Sequence, residues 1–145
     1  MNMEHCIDVC NRLLRGERSA VETYQQAISK LPPDMRASEL GRIHQEHSNA
    51  VSLLERNVLS MGGRPDQESG AWGTFATAVQ GTANLLGAQA ALESLQTGEK
   101  TGLREYEAAL EDDEVMPECK DMIRSNLLPF TRQHIETLEH LQKAA

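Results

Sequence analysis

The chain has 145 residues, 14 Lys and Arg against 22 Asp and Glu, a formal net charge of −8, and few aromatic side chains: Tyr24, Trp72, Phe75, Tyr106 and Phe130. That length suits a single domain over residues 1–145 with a sizeable core. With so few rings the core falls to Leu, Ala, Val, Ile and Met, the filling of packed helices, which excludes an all-β sandwich and a base-stacking nucleic-acid module, while the acidic balance opposes phosphate backbones and anionic lipid and favours cations.

Pro and Gly divide the chain into four long helical segments. The first is expected from Glu4 to Leu31 and stops at Pro32-Pro33; the second runs from Asp34 to Met61 and ends at Gly62-Gly63, with Pro65 beyond. Residues 63–83 form a connection with Trp72, Phe75 and Val79 at helical spacing. The third segment runs from Ala83 to Leu110. After the acidic run Glu111-Asp112-Asp113-Glu114, the fourth runs from Met116 to Lys143, with Pro117 in its first turn and Pro129 predicting a kink or local break. Apolar stripes support these assignments: Leu40, Ile43, Ala50, Val51, Leu54, Val58 and Met61 in the second segment, and Leu92, Leu95, Leu103, Tyr106 and Leu110 in the third. Segments of about 28 residues span roughly 40 Å. Short links within each pair and a connection of about 20 residues between pairs predict an all-α four-helix bundle with one long crossover.

No stretch approaches the roughly 18 consecutive apolar residues of a membrane span. The first ten residues carry Glu4, His5 and Asp8, with no basic region leading into an apolar run, so no secretory signal is expected there. Cys6, Cys10 and Cys119 cannot all pair within one chain and none lies in a CxxC arrangement, so a reduced, cytoplasmic compartment is expected. Cys6 and Cys10, at i and i+4 beside His5, have the spacing to hold a soft metal; buried free thiols are the simpler expectation.

The third helix repeats a pattern of the first. Gly16-Glu17 precedes Tyr24, Ala27 and Ile28, and Gly98-Glu99 precedes Tyr106, Ala109 and Leu110, so each copy sets a Glu and a Tyr two turns apart on one face. The second and fourth helices are weaker copies, with Glu46-His47 before Leu53-Leu54 and Gln133-His134 before His140-Leu141. A duplicated helical hairpin, residues 4–62 and 84–143, accounts for both. Glu17 interrupts a core stripe running from Leu13 to Ala20, Tyr24 and Leu31. Glu99 does so between Leu95 and Leu103, His47 between Ile43 and Ala50, and His134 between Phe130 and Leu138. Counted from a common end of the bundle, these four positions agree in height to within roughly 9 Å. Two Glu and two His converging in one buried layer form the strongest functional signal. The hydroxyls of Tyr24 and Tyr106 are expected to bond to that layer.

These residues resemble the ferritin-like superfamily, in which helices one and three each give a Glu and helices two and four each give Glu-x-x-His. Leu14-Arg15-Gly16-Glu17 through Tyr24 is similar to the first ligand helix of bacterioferritins, and His134-Ile135-Glu136-Thr137-Leu138-Glu139 to the end of their last. Leu95-Gln96-Thr97-Gly98-Glu99, Tyr106-Glu107-Ala108-Ala109-Leu110, the Gly62-Gly63-Arg64-Pro65 turn and Glu68-Ser69-Gly70 resemble, over nearly the whole chain, a bacterial four-helix family of unknown function. The resemblance implies a ferritin-like bundle and carries no established activity.

The ferritin pattern is incomplete. His44 and Thr131 stand where the two bridging Glu residues would be. Two divalent ions would face only Glu17 and Glu99, which disfavours a di-iron centre in a low-dielectric core. Glu22, Glu46 and Glu105 join only if the helix phases differ from this reading. One divalent ion, Fe, Mn or Zn, is neutralised by Glu17, Glu99, His47 and His134, with His44 as a possible extra ligand. Two protonated His and two ionised Glu reach the same neutrality without metal.

Three functions compete on this evidence. One is a binding or structural module whose Glu/His layer holds at most one metal ion, the second a metal-dependent redox enzyme or iron-handling protein, and the third a partner-binding bundle whose Trp72, Phe75 and Val79 stripe meets a protein partner or a second copy. No nucleophile elbow, phosphate loop or zinc-finger spacing favours a catalytic reading.

Overall fold

A computed structural model describes residues 2–31, 35–69 and 85–144. It contains α1 (Met3–Lys30), α2 (Met35–Ser60), α3 (Leu85–Glu111), a short α4 (Pro117–Met122), a π-helical turn (Ile123–Leu127) and α5 (Leu128–Ala144). Among the described residues there is no strand, and no helix is long and apolar enough to cross a membrane.

Several helix boundaries have a local cause. Asn2 caps α1, its side-chain oxygen accepting the His5 N–H at 3.2 Å. Leu31 is extended, with ψ 151°, as the residue before a proline prefers. At the end of α2, Gly63 N–H reaches Val58 O at 2.9 Å and Gly62 N–H reaches Leu59 O at 3.0 Å, the paired bonds of a Schellman stop. Gly62 takes φ +83° to make that stop, a conformation in which a side chain is strained. Pro117 occupies the first turn of α4, where its missing N–H costs nothing.

The fourth helical stretch is interrupted locally before Pro129, where α4 gives way to the π turn and then to α5. One turn upstream, Leu128 N–H bonds to Ile123 O, the five-residue spacing of a π turn. Pro129 has no N–H to return to the preceding turn, and its ring crowds the carbonyl there; the wider turn relieves both problems. The inward stripe of α5 reads Leu128, Thr131, His134, Leu138 and Leu141, and Phe130, expected in the core, is 41% exposed.

α1 packs along α2, and α3 along α5. The start of α1 meets the end of α3 where His5 Nε2 lies 2.7 Å from Asp112 and Cys6 donates to Glu114 O at 3.2 Å. The end of α2 is there as well, with Asn57 bonded to Cys10. At the opposite end Leu31, Leu40, Ala88 and Leu141 share one apolar cluster. α2 therefore finishes at one end of the bundle and α3 starts at the other. The first residues of the connection turn back along α1: Asn11 exchanges bonds with Arg64 O and Asp66 N–H, and Arg15 and Arg18 both reach Asp66. Trp72, Phe75 and Val79 lie outside the described residues.

The apolar interior is in two parts. One contains Tyr24, Ala27, Leu40, Ile43, Leu92, Leu95 and Leu138; the other contains Leu13, Leu14, Leu54, Val58, Tyr106, Ile123 and Leu127. The layer between them is polar.

Candidate functional site

Glu17, His47, Glu99 and His134 are all buried, none more than 7% exposed. α1 and α3 run in opposite directions, so an identical Glu-to-Tyr spacing on both carries each Tyr toward the other helix's Glu. Tyr24 donates to Glu99 Oε2 and Tyr106 donates to Glu17 Oε1, each at 2.6 Å. Both tyrosines do what their spacing predicts, in a crossed pairing that a single helix cannot reveal.

His47 links the two carboxylates. Its Nδ1 lies 2.5 Å from Glu17 Oε2 and its Nε2 lies 2.7 Å from Glu99 Oε2. Burial opposes a charge on this ring, but the flanking Glu99 and Glu17 carboxylates hold its pKa well above 6.5. Both ring nitrogens of the imidazolium then donate. Burial likewise works against a charged Glu99; the positive charge of His47 and the hydrogen bonds from His134 and His47 outweigh it and bring this carboxyl down to about 2. Tyr24 and Tyr106 are held well above 10 by burial and by the adjacent carboxylates, so they stay neutral donors. The Tyr24 ring stacks on His47 with centroids 5.3 Å apart, and the His47 and His134 rings stand 4.7 Å apart.

His134 extends the chain of contacts to a residue that sequence reasoning set aside. Its Nε2 lies 2.7 Å from Glu46 Oε1, and its Nδ1 lies 3.3 Å from Glu99 Oε1. The α2 stripe from Ile43 to Ala50 points His47 inward and puts Glu46 on the flank. That flank is the seam with α5, where Arg42 also meets Thr137 at 3.3 Å. The signal was present as Arg42 and Glu46, one turn apart on the face beside the stripe. The layer thus holds three carboxylates rather than two.

His44 and Thr131 take no part in this hydrogen-bonded layer. Thr131 donates to Leu127 O at 3.2 Å within its own helix. His44 Nε2 is buried with no hydrogen-bond partner among the described residues, and burial, followed by the nearby charge of His47, lowers its pKa.

Among the described residues, His47, Glu99 and His134 form a donor group whose ligand atoms lie within 4.8 Å of one another. Glu17 stands behind His47 on its far nitrogen, and Glu46 stands in the same relation to His134. A cavity of about 200 Å³ connects this layer to the surface, from Glu17, His47, Glu99 and Tyr106 inside to Arg12 and Arg15 outside. Glu105 lines the same cavity, its carboxyl raised by burial against the pull of Arg12 and Arg15.

Fold and site together define an all-helical bundle with a buried, interlocked Glu/His layer that can hold a metal ion. The chain belongs to the family described as Domain of unknown function (DUF2383), whose pattern matches residues 5–112 and so covers Glu17, Glu46, His47 and Glu99. No curated protein and no solved structure matches it.

Proposed function

We propose that this protein is a ferritin-like metal-binding module in which Glu99, His47 and His134 hold one divalent ion, with Glu17 and Glu46 orienting the two imidazoles. The reading rests on one observation: the Glu99 carboxylate faces one nitrogen of each His, and the other nitrogen of each already meets a second carboxylate. Metal-ligating histidines characteristically donate their outer N–H to a carboxylate, which fixes the tautomer and raises ligand basicity. If His134 carries its proton on Nε2, toward Glu46, then Nδ1 points a lone pair at Glu99, an arrangement that calls for a cation between them.

Two His and one carboxylate suit Fe²⁺, Mn²⁺ or Zn²⁺. A di-iron centre fits poorly, because Thr131 is engaged with its own helix and His44 is no carboxylate. Support for ferritin-like kinship comes from Glu on α1 and α3, His on α2 and α5, and the connection that must join opposite ends of the bundle. The crossed Tyr–Glu pairs are what a duplicated hairpin would produce.

A metal-free structural bundle is favoured by a different observation: all four ring nitrogens of His47 and His134 have a carboxylate within 3.3 Å, so two protons can take the place of the dication. Elemental analysis of protein purified without chelator separates the two. The expected result is one Fe, Mn or Zn per chain, lost in Glu99→Ala, with affinity falling about 10- to 100-fold in Glu17→Gln or Glu46→Gln. Metal-free protein whose melting temperature does not respond to added Fe²⁺, Mn²⁺ or Zn²⁺ would overturn the metal reading.

A further inference from the structure

At the end of the bundle where α1 begins, three sulfur atoms from three elements meet. Cys10 Sγ and Cys119 Sγ are 4.0 Å apart, and Cys119 Sγ is 4.0 Å from Met61 Sδ. Asn57 Nδ2 donates to both thiol sulfurs, at 3.1 Å to Cys10 and 3.4 Å to Cys119. Both cysteines are free and no more than 1% exposed, whereas Asn57 and Met61 above them are partly exposed and provide a way in. Cys6, the i−4 neighbour of Cys10, is occupied elsewhere: it donates to Glu114 O at 3.2 Å and accepts Met116 N–H at 3.3 Å. The helical spacing pairs Cys10 with Cys6, but the tertiary fold pairs it with Cys119.

We propose that Cys10, Cys119 and Met61 form a three-sulfur site for a soft monovalent cation of the Cu(I) or Ag(I) class.

Geometry and donor chemistry agree. For metal–sulfur bonds of about 2.3 Å, a 4.0 Å sulfur–sulfur edge subtends about 120° at the metal, the angle of a planar three-coordinate site. The two edges that meet at Cys119 both have that length. Thiolate and thioether donors select Cu(I), while zinc prefers four ligands in a tetrahedron, one more than these three sulfurs supply. The two thiols already meet in one polar contact, Cys10 donating to the Cys119 sulfur. The cation takes both cysteine sulfurs as thiolates together with the thioether, and the two thiol protons leave to solvent. Asn57 donates to both sulfurs and offsets the residual negative charge. These donors are distinct from the Glu/His layer, so the site stands or falls independently of it.

The test is titration of the reduced full-length protein with Cu(I) against a competing chromophoric chelator. The expected result is one equivalent bound, unchanged in Cys6→Ser and in Glu99→Gln, lost in Cys10→Ser and Cys119→Ser, and about 10- to 100-fold weaker in Met61→Leu. X-ray absorption on the unmutated protein supplies a readout that does not depend on the variants folding: three sulfur neighbours are expected. Binding that survives the Cys10→Ser, Cys119→Ser double variant overturns the proposal. So does a Cu(I) first shell with two sulfurs, or with nitrogen or oxygen.

Discussion

The Tyr24 hydroxyl donates to the Glu99 carboxylate across 2.6 Å, from α1 to α3 at the centre of the bundle. Tyr106 returns the same bond to Glu17. These two contacts tie the register of α1 to that of α3, because a shift of one turn would part both buried phenols from the carboxylates that accept from them. A hydrogen bond to a charged group contributes about 1.5–3 kcal/mol. Tyr24→Phe and Tyr106→Phe are each expected to lose that much in urea unfolding. A loss below about 0.5 kcal/mol in both would show that the hydroxyls are dispensable.

Removing Glu99 should cost more than removing any other acid of the layer. It meets His47, His134 and Tyr24 at once, and its side chain is 1% exposed, against 20% for Glu46. Breaking a buried ion pair from one side leaves an uncompensated charge and costs about 3–5 kcal/mol. Glu99→Ala is expected in that range and Glu46→Ala at about half of it or less, because water reaches Glu46. Equal losses in chemical denaturation would contradict the hierarchy.

Stability of the chelator-treated protein should pass through a plateau between about pH 4.5 and 6.5. The Glu99 carboxyl is lowered from 4.5 to about 2, so its contribution is complete above 4.5 and is lost as pH falls through about 2. His47 is raised above 6.5, so its contribution is complete below 6.5 and is lost as pH climbs through its folded value. Urea midpoints measured from about pH 3 to 9 should decline on both sides of the plateau, and Glu99→Gln should flatten the acid side. A midpoint that rises steadily above pH 6.5 would mean that His47 folds neutral.

The glycines should respond to alanine in opposite directions. At Gly63 a new Cβ would sit 2.7 Å from Ile7 Cγ2 and 3.1 Å from Val58 Cγ1, so Gly63→Ala must displace packed side chains and is expected to destabilise by about 1–3 kcal/mol. At Gly41 and Gly102, inside α2 and α3, nothing lies within 4 Å, and alanine gains helix propensity of up to about 1 kcal/mol. Thermal melts of the three variants check this. A stabilised Gly63→Ala would show that the turn is looser than the contacts indicate.

The helix limits were legible in the sequence to within about two residues, because Pro32-Pro33, Gly62-Gly63 and Pro117 act through local backbone sterics. The inward positions of Glu17, His47, Glu99 and His134 were legible for a related reason: a polar residue that interrupts an apolar stripe at 3.6-residue spacing is carried inside with the stripe. Phe130 escaped that logic: the inward stripe of α5 reaches His134 through Leu128 and Thr131 and leaves Phe130 beside it. Glu46 escaped it as well, lying on a flank whose environment is decided by the neighbouring helix.

By itself, then, the sequence determined where the long helical stretches of the described residues lie, the side of each that turns inward, and the presence of ionisable groups at one level. Those are properties of single segments, set by periodicity and backbone preference. The tertiary structure alone decided which atoms meet: Tyr24 with Glu99 rather than Glu17, Glu46 behind His134, and Cys10 with Cys119 rather than Cys6. Partners of that kind depend on the direction, rotation and phase of two helices at once, and no single segment encodes them.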